Sequence, residues 1–156
     1  MQRLLTSYRA IPADAAVRLA KPTSNLFRAR AKNSGPGGLD TSGGLTDVIA
    51  VDPDARTADV AGMCTYEDLV AATLPYGLSP LVVPQLKTIT LGGGAVTGLG
   101  IESASFRNGL PPHESVLEMD ILTGTGEIIR ASPRRARRPF SGPSRIPMAH
   151  LAIRFD

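Results

Sequence analysis

Residues 88–103 read TITLGGGAVTGLGIES, with Gly92, Gly93, Gly94, Gly98 and Gly100 inside nine positions and Thr90, Thr97 and Ser103 interleaved. Glycine lets a backbone approach a ligand closely and adopt positive φ. Consecutive N–H groups with small hydroxyls beside them form a concave donor surface suited to a pyrophosphate. A glycine-rich tight turn between two strands would have the same composition, and spacing alone leaves both readings open. What the run excludes is clearer. Gly98-Leu99-Gly100 gives a GxG, but Ser103 stands where a dinucleotide fingerprint needs its third glycine, although Glu118 lies twenty residues after Gly98. That fingerprint also needs a long helix after it. Here the chain runs on through Arg107-Asn108-Gly109 to Pro111-Pro112, which a long helix does not tolerate. A Rossmann-type site is excluded, and no P-loop pattern occurs.

Upstream of this run, Pro80 and Pro84 make 78–84 an extended apolar segment. Before it comes the best helix of the chain. Thr65 can cap it, with Asp68 three residues on in the capping-box arrangement. Tyr66, Leu69, Val70, Thr73 and Leu74 form one face at helical spacing, and Pro75 and Gly77 stop it. Residues 48–51 and 57–61 read as a hairpin around the turn Asp52-Pro53-Asp54-Ala55-Arg56. Residues 16–20 form a short strand followed by a turn at 21–25, and NSGPGGLDTSGG at 33–44 reads as a loop. Downstream, Leu117, Met119 and Ile121 alternate with Glu118 and Asp120, a half-buried strand that turns at Thr123-Gly124-Thr125-Gly126 and returns over 127–130. Short helices beside paired strands make an α+β domain.

A chain of 156 residues with 42% hydrophobic residues suits one domain with an aliphatic core, since aromatics are 4% and Trp is absent. Mean hydropathy is +0.02, no apolar run reaches bilayer length, and residues 1–11 lack the features of a signal peptide. A single cysteine, Cys64, leads us to expect a reducing, cytoplasmic setting. The isoelectric point of about 9.4 suggests a polyanion partner. However, six of the 17 basic residues and only one of the 14 acidic residues lie in 133–156, so the preceding body is mildly acidic. That Arg- and Pro-rich tail, PRRARRPFSGPSRIPMAHLAIRFD, shows no sustained period and is expected to be loosely attached or disordered.

The stretch PLVVPQLKTITLGGGAVTGLGIESASFRNGL, residues 80–110, resembles the flavoproteins of the vanillyl-alcohol-oxidase/PCMH superfamily, and within it the dehydrocholesterol-reductase-like branch of sterol side-chain reductases. The Thr-x-Gly-Gly core followed by Gly-Ile-Glu-Ser carries the likeness. KPTSNLFR at 21–28, VIAVDPDARTADV at 48–60, TYEDLVAATLPYGL at 65–78 and EMDILTGTGEII at 118–129 agree in order. The resemblance covers about 8–132 and implies a PCMH-type FAD-binding domain, a small α/β part and an antiparallel sheet part with FAD between them. It further implies that Thr90, Leu91, Gly92, Gly93, Gly94, Ala95, Thr97, Gly98, Gly100, Ile101, Glu102 and Ser103 wrap the flavin's pyrophosphate and ribityl chain. Residues 21–25 would be a second contact. Gly94 is one glycine more than the family's loop usually carries. Relatives continue after 128–132 with an acidic-aromatic stretch, an Asn-x-Tyr-Gly-Thr-Leu-Gly-like segment and a substrate domain. Their absence leads us to expect a domain incomplete at the C-terminus, as a reading-frame shift would produce.

The function implied is hydride transfer through flavin N5 at a carbon–carbon bond of a lipid or sterol-like substrate, with the protein holding and tuning the cofactor. No catalytic residue can be named from the sequence. Other features are weaker. His113 and Glu114 could form an acid–base pair but read better as surface loop residues. Cys64 reads better as a small packed residue than as an activated thiol, and no grouping has metal-ligand spacing. Arg134, Arg135, Arg137 and Arg138 could bind nucleic acid. This leaves a non-catalytic fragment, or a basic anion-binding protein acting through the tail, as the alternative to a flavoprotein.

Overall fold

The strands fall into two sheets, a parallel pair near the N-terminus and an antiparallel sheet of five. The computed structural model describes residues 2–20, 37–41, 43–97, 112–132 and 148–155. In chain order these form α1 (Gln2–Arg9), β1 (Arg18–Ala20), β2 (Gly38–Asp40), β3 (Val48–Asp52), β4 (Thr57–Ala61), α2 (Tyr66–Thr73), α3 (Leu91–Thr97), β5 (Val116–Leu122), β6 (Ile128–Ala131) and β7 (Met148–Arg154). Single 3-10 turns occupy Leu74–Tyr76 and Pro112–Ser115.

The small sheet pairs β1 with β2 in parallel, Leu19 opposite Leu39. Gly38–Asp40 falls inside the stretch read from sequence as loop, so that expectation is corrected here. Leu39 is the reason. It is fully buried among Leu4, Leu45 and Leu122, and one buried leucine between two exposed neighbours anchors the three-residue strand. Gly37 makes the close approach possible, since at its φ of +105° a Cβ would stand 2.4 Å from the Ala16 carbonyl oxygen. Helix α1 covers this sheet. Leu4 and Tyr8 stand one turn apart with Ile11 beyond them, all packed into the same cluster, and the Ser7 hydroxyl accepts from the Asp40 N–H at 3.0 Å. Tyr8 reaches further, donating its hydroxyl to the Gly124 carbonyl at 2.6 Å, which ties α1 to the β5–β6 turn.

The large sheet has the order β3-β4-β7-β5-β6, antiparallel throughout. Its two hairpins are those the sequence implies. The β3–β4 turn is closed by the Asp52 carboxylate accepting from the Ala55 N–H at 2.9 Å. The β5–β6 turn is closed by Thr123 and Glu127 bonded through backbone and hydroxyl. Between the hairpins lies β7. Ala61 pairs with His150 and Thr57 with Arg154 on one side, and Met119 with Leu151 on the other. Residues 133–156 were expected to lie outside the fold, but the structure places 148–155 of them at the centre of the sheet. The four prolines of that segment end at Pro147, so MAHLAIRF is free to bond on both edges. Phe155 follows, 3% exposed, bonded through its N–H to the Arg56 carbonyl at 2.9 Å and bridged to Pro80.

The alternation read in β5 is only partly realised. Val116, Ile121 and Leu122 are buried while Leu117 to Asp120 are all half-buried. The register shifts twice along its pairing with β7, between Val116 and Glu118 and between Asp120 and Ile121. Its start serves the core around Tyr66, Leu69, Leu91 and Phe155, and its end serves the core around Leu4 and Leu39. Among the described residues no helix is long and apolar enough to cross a membrane.

Candidate cofactor-binding site

The glycine-rich run begins as a helix. Leu91–Thr97 forms α3, and Gly92, Gly93 and Gly94 sit in its first turns. Each glycine costs a helix about 1 kcal/mol relative to alanine, so the sequence reading did not foresee this element. Packing and capping compensate. The Thr90 hydroxyl accepts from the Gly93 N–H at 3.2 Å and the Thr90 carbonyl accepts from the Gly94 N–H at 2.9 Å. A Cβ on Gly94 would come within 3.0 Å of the Tyr66 ring, so this glycine lets α3 lie directly against the first residue of α2.

The starts of α2 and α3 satisfy one another. Thr65 and Thr90 form a β-bridge. From α2, the Tyr66 and Glu67 N–H groups donate to the Ile89 and Lys87 carbonyls, each at 3.0 Å. From α3, the Leu91 N–H donates to the Cys64 carbonyl at 2.7 Å and the Gly92 N–H to the Gly62 carbonyl at 2.9 Å. A helix start leaves its first N–H groups without intrahelical partners. Here each helix fills that need from the chain leading into the other. The geometry limits the sequence reading. Leu91, Gly92, Gly93 and Gly94 donate to protein acceptors and do not form an open row of donors for a phosphate.

The α2 cap follows the sequence in outline and departs in detail. Thr65 Oγ1 accepts from the Asp68 N–H at 3.1 Å and donates to Asp68 Oδ2 at 2.6 Å. A glutamate in a capping box reaches back to the cap's own N–H; the shorter aspartate meets the hydroxyl instead. Of the face expected on α2, Tyr66, Leu69 and Thr73 are buried and Val70 is half-buried, whereas Leu74 is 62% exposed. The chain tightens into the 3-10 turn at Leu74, which swings that side chain out of the helical stripe.

Of the expected contacts, Thr90 and Leu91 are buried, and Gly92 to Gly94 lie against the Gly62–Tyr66 turn. Ala95 and Thr97 lie within α3. Gly98, Gly100, Ile101, Glu102 and Ser103, and the second contact at 21–25, fall outside the described residues. Cys64 is fully buried, and burial, aided by Asp68 and Asp47, pushes its thiol up to about 12, so it is a packed residue and no activated nucleophile. Glu114 is exposed on the Pro112–Ser115 turn. Among the described residues no cluster of His, Cys, Asp or Glu could hold a metal ion.

One group here escaped the sequence reading. Tyr66, 1% exposed, keeps its hydroxyl buried with no hydrogen-bond partner among the described residues. The sequence marked it only as an apolar position on a helical face. An unpartnered buried donor beside a tightly packed glycine run, with no acidic side chain between Lys87 and Thr97, suits an anionic cofactor.

Comparison with known proteins agrees with this setting. Cytokinin dehydrogenase 2 of Oryza sativa subsp. japonica is 33% identical over 94 residues, 60% of this chain and 16% of its own length. Cytokinin dehydrogenase 2 of Arabidopsis thaliana is 38% identical over 98 residues, 63% of this chain and 19% of its own length. The chain thus spans less than a quarter of the length of these curated relatives. The crystal structure of 6-hydroxy-D-nicotine oxidase from Arthrobacter nicotinovorans superposes with a TM-score of 0.56 at 18% identity, over 71% of this chain and 25% of that one, a likeness of fold. The family model described as an FAD binding domain matches residues 13–132, and with the fold above it places this chain in that family of PCMH-type flavin-binding domains, whose cofactor is FAD.

Proposed function

We propose that this chain is the FAD-holding part of a flavin-dependent oxidoreductase. The observation that carries the reading is the family match across 13–132, which spans the parallel pair, every strand of the larger sheet except β7, both helices of the site and the whole glycine run. In this reading α2 and α3 form the rigid wall of the site, and Gly92 to Gly94 set its depth. Their N–H groups are already bonded within the protein. The remaining contacts that the resemblance implies, Gly98, Gly100 and Ile101 to Ser103, lie outside the described residues. Bound FAD supplies hydride acceptance and donation at its N5, and the protein contributes orientation and exclusion of water.

The substrate has two readings. The resemblance at 80–110 favours a carbon–carbon bond of a lipid or sterol-like molecule. The relatives' names favour a cytokinin or a hydroxylated nicotine.

The test is the visible absorbance spectrum of the purified chain after incubation with FAD and desalting. Retained flavin bands support the reading, and a colourless protein overturns it. Should flavin be retained, anaerobic bleaching of the oxidised flavin by a cytokinin would decide for the second substrate class, whereas anaerobic reoxidation of chemically reduced flavin by an unsaturated sterol, which takes up the hydride at its double bond, would decide for the first.

A further inference from the structure

Tyr66 is the first residue of α2 and lies between two helix starts whose backbone donors are all committed. Its ring is 1% exposed. Its hydroxyl is the one buried side-chain polar atom, among the described residues, without a hydrogen-bond partner. Burying a hydroxyl in this way is unfavourable, and phenylalanine would fill the same space without the penalty. The ring position is set by α3, because a Cβ at Gly94 would stand 3.0 Å from Cε2 and 3.2 Å from Oη. The hydroxyl is therefore held at the level of Gly94, within the run that borders the cofactor in the reading above. Neighbouring groups do not answer it. Thr90 Oγ1 accepts from Gly93, and the Gly94 N–H is bonded to the Thr90 carbonyl. Burial also pushes the phenol up to about 12, so at neutral pH it is a fixed, protonated donor.

A protonated donor in a dry site, beside a run whose first amides are taken, matches an acceptor that carries negative charge. We propose that the Tyr66 hydroxyl donates a hydrogen bond to a pyrophosphate oxygen of bound FAD, making Tyr66 a cofactor-binding residue outside the glycine run. The inference rests on the FAD-holding reading. A charge-assisted bond of this kind is stronger than one between neutral groups. It also resolves an otherwise uncompensated buried group, so the same side chain is a burden without cofactor and an asset with it.

That reversal is the test. Tyr66→Phe is made in the full chain, and melting without ligand is measured together with affinity for FAD, ADP and riboflavin. The expected result is a ligand-free melting temperature equal to or above that of the parent. FAD and ADP should bind about tenfold more weakly, with riboflavin, which lacks the pyrophosphate, unchanged. A variant that melts several degrees lower and binds FAD normally would make the hydroxyl a structural group and overturn the proposal. Weakened riboflavin binding with ADP unaffected would overturn the assignment to the pyrophosphate. A parent chain that binds none of the three removes the FAD-holding reading itself, and this inference with it. A parent that binds FAD equally with and without the hydroxyl removes only the inference.

Discussion

Gly94 and Tyr66 constrain each other, and the pair gives the sharpest test of the packing at α3. A methyl group on Gly94 would meet the ring at 3.0 Å. Gly94→Ala gains roughly 1 kcal/mol of helix propensity, but a ring pinned at the start of α2 cannot withdraw, and overpacking costs about 1–3 kcal/mol. The variant should be less stable in urea unfolding, and Tyr66→Leu should restore tolerance of the alanine. Cys64 and Tyr66 also make stability depend on alkaline pH. The Cys64 thiol ionises near 9.0 when exposed and near 12 in the fold. Between those values the unfolded chain has lost a proton that the folded chain keeps. The contribution is therefore complete below pH 9 and declines as pH rises, by up to about 1.4 kcal/mol per pH unit. Tyr66 opens a second window, from 10.0 to about 12. Cys64→Ala should remove the loss that begins near pH 9 and leave the one that begins near pH 10, as followed by melting temperature across that range. Tyr66 shows why residue roles were only partly legible. Its spacing with Leu69 and Thr73 declares an inward-facing ring, but nothing in the sequence states that the hydroxyl lacks a partner.

At the scale of elements, legibility followed period and punctuation. The two hairpins and α2 carried alternation, capping and Pro or Gly stops, and all three formed close to their expected bounds. The glycine run gave no helical signal because its stabilisation comes from elsewhere, through Thr90, Cys64, Gly62 and the Tyr66 ring. Strand β2 was hidden for a similar reason, since a single buried leucine cannot make a pattern. Helix α1 did have a signal in Leu4, Tyr8 and Ile11, which went unread because residues 1–11 were weighed only for the features of a signal peptide, which they lack. The reciprocal bonding of the two helix starts predicts coupling between them. Thr65→Ala should cost about 1 kcal/mol through the lost cap. Thr90→Ala should cost a similar amount, and the double variant should depart from additivity because the two residues share a bridge. Denaturant unfolding of the four proteins measures the departure. Strictly additive costs would mean that the helix starts act independently.

For the molecule as a whole, the sequence conveyed the family and the cofactor through ordered motifs between 8 and 132, and missed where the chain ends in space. Composition dominated that reading. Arginine and proline over 133–147 coloured the entire tail, while the proline-free MAHLAIRF was too short to announce a strand with partners on both sides. Removing 133–156 therefore has an expected outcome opposite to that for a loose appendage. Without β7 the inner edges of β4 and β5 lose their ladders, and Phe155 leaves the core beside Tyr66. The shortened protein should lose cooperative unfolding and become prone to association through its open edges. Chromatography and a thermal melt would show this. A soluble, cooperatively melting deletion would mean that the hairpins stand without their central strand.

The position of β7 has a consequence for birth as well as for stability. A ribosome delivers β3 and β4, then α2 and α3, then β5 and β6, and only after these the strand that joins the two hairpins. Until β7 emerges the nascent polypeptide carries two half-sheets with unsatisfied inner edges, and their union waits for a contact between residues as far apart as Thr57 and Arg154. Closure over such a loop is slow compared with local hairpin formation. The sheet therefore assembles only once β7 has emerged, and its vulnerable interval is the one in which a chaperone would shield the gap that this strand will fill.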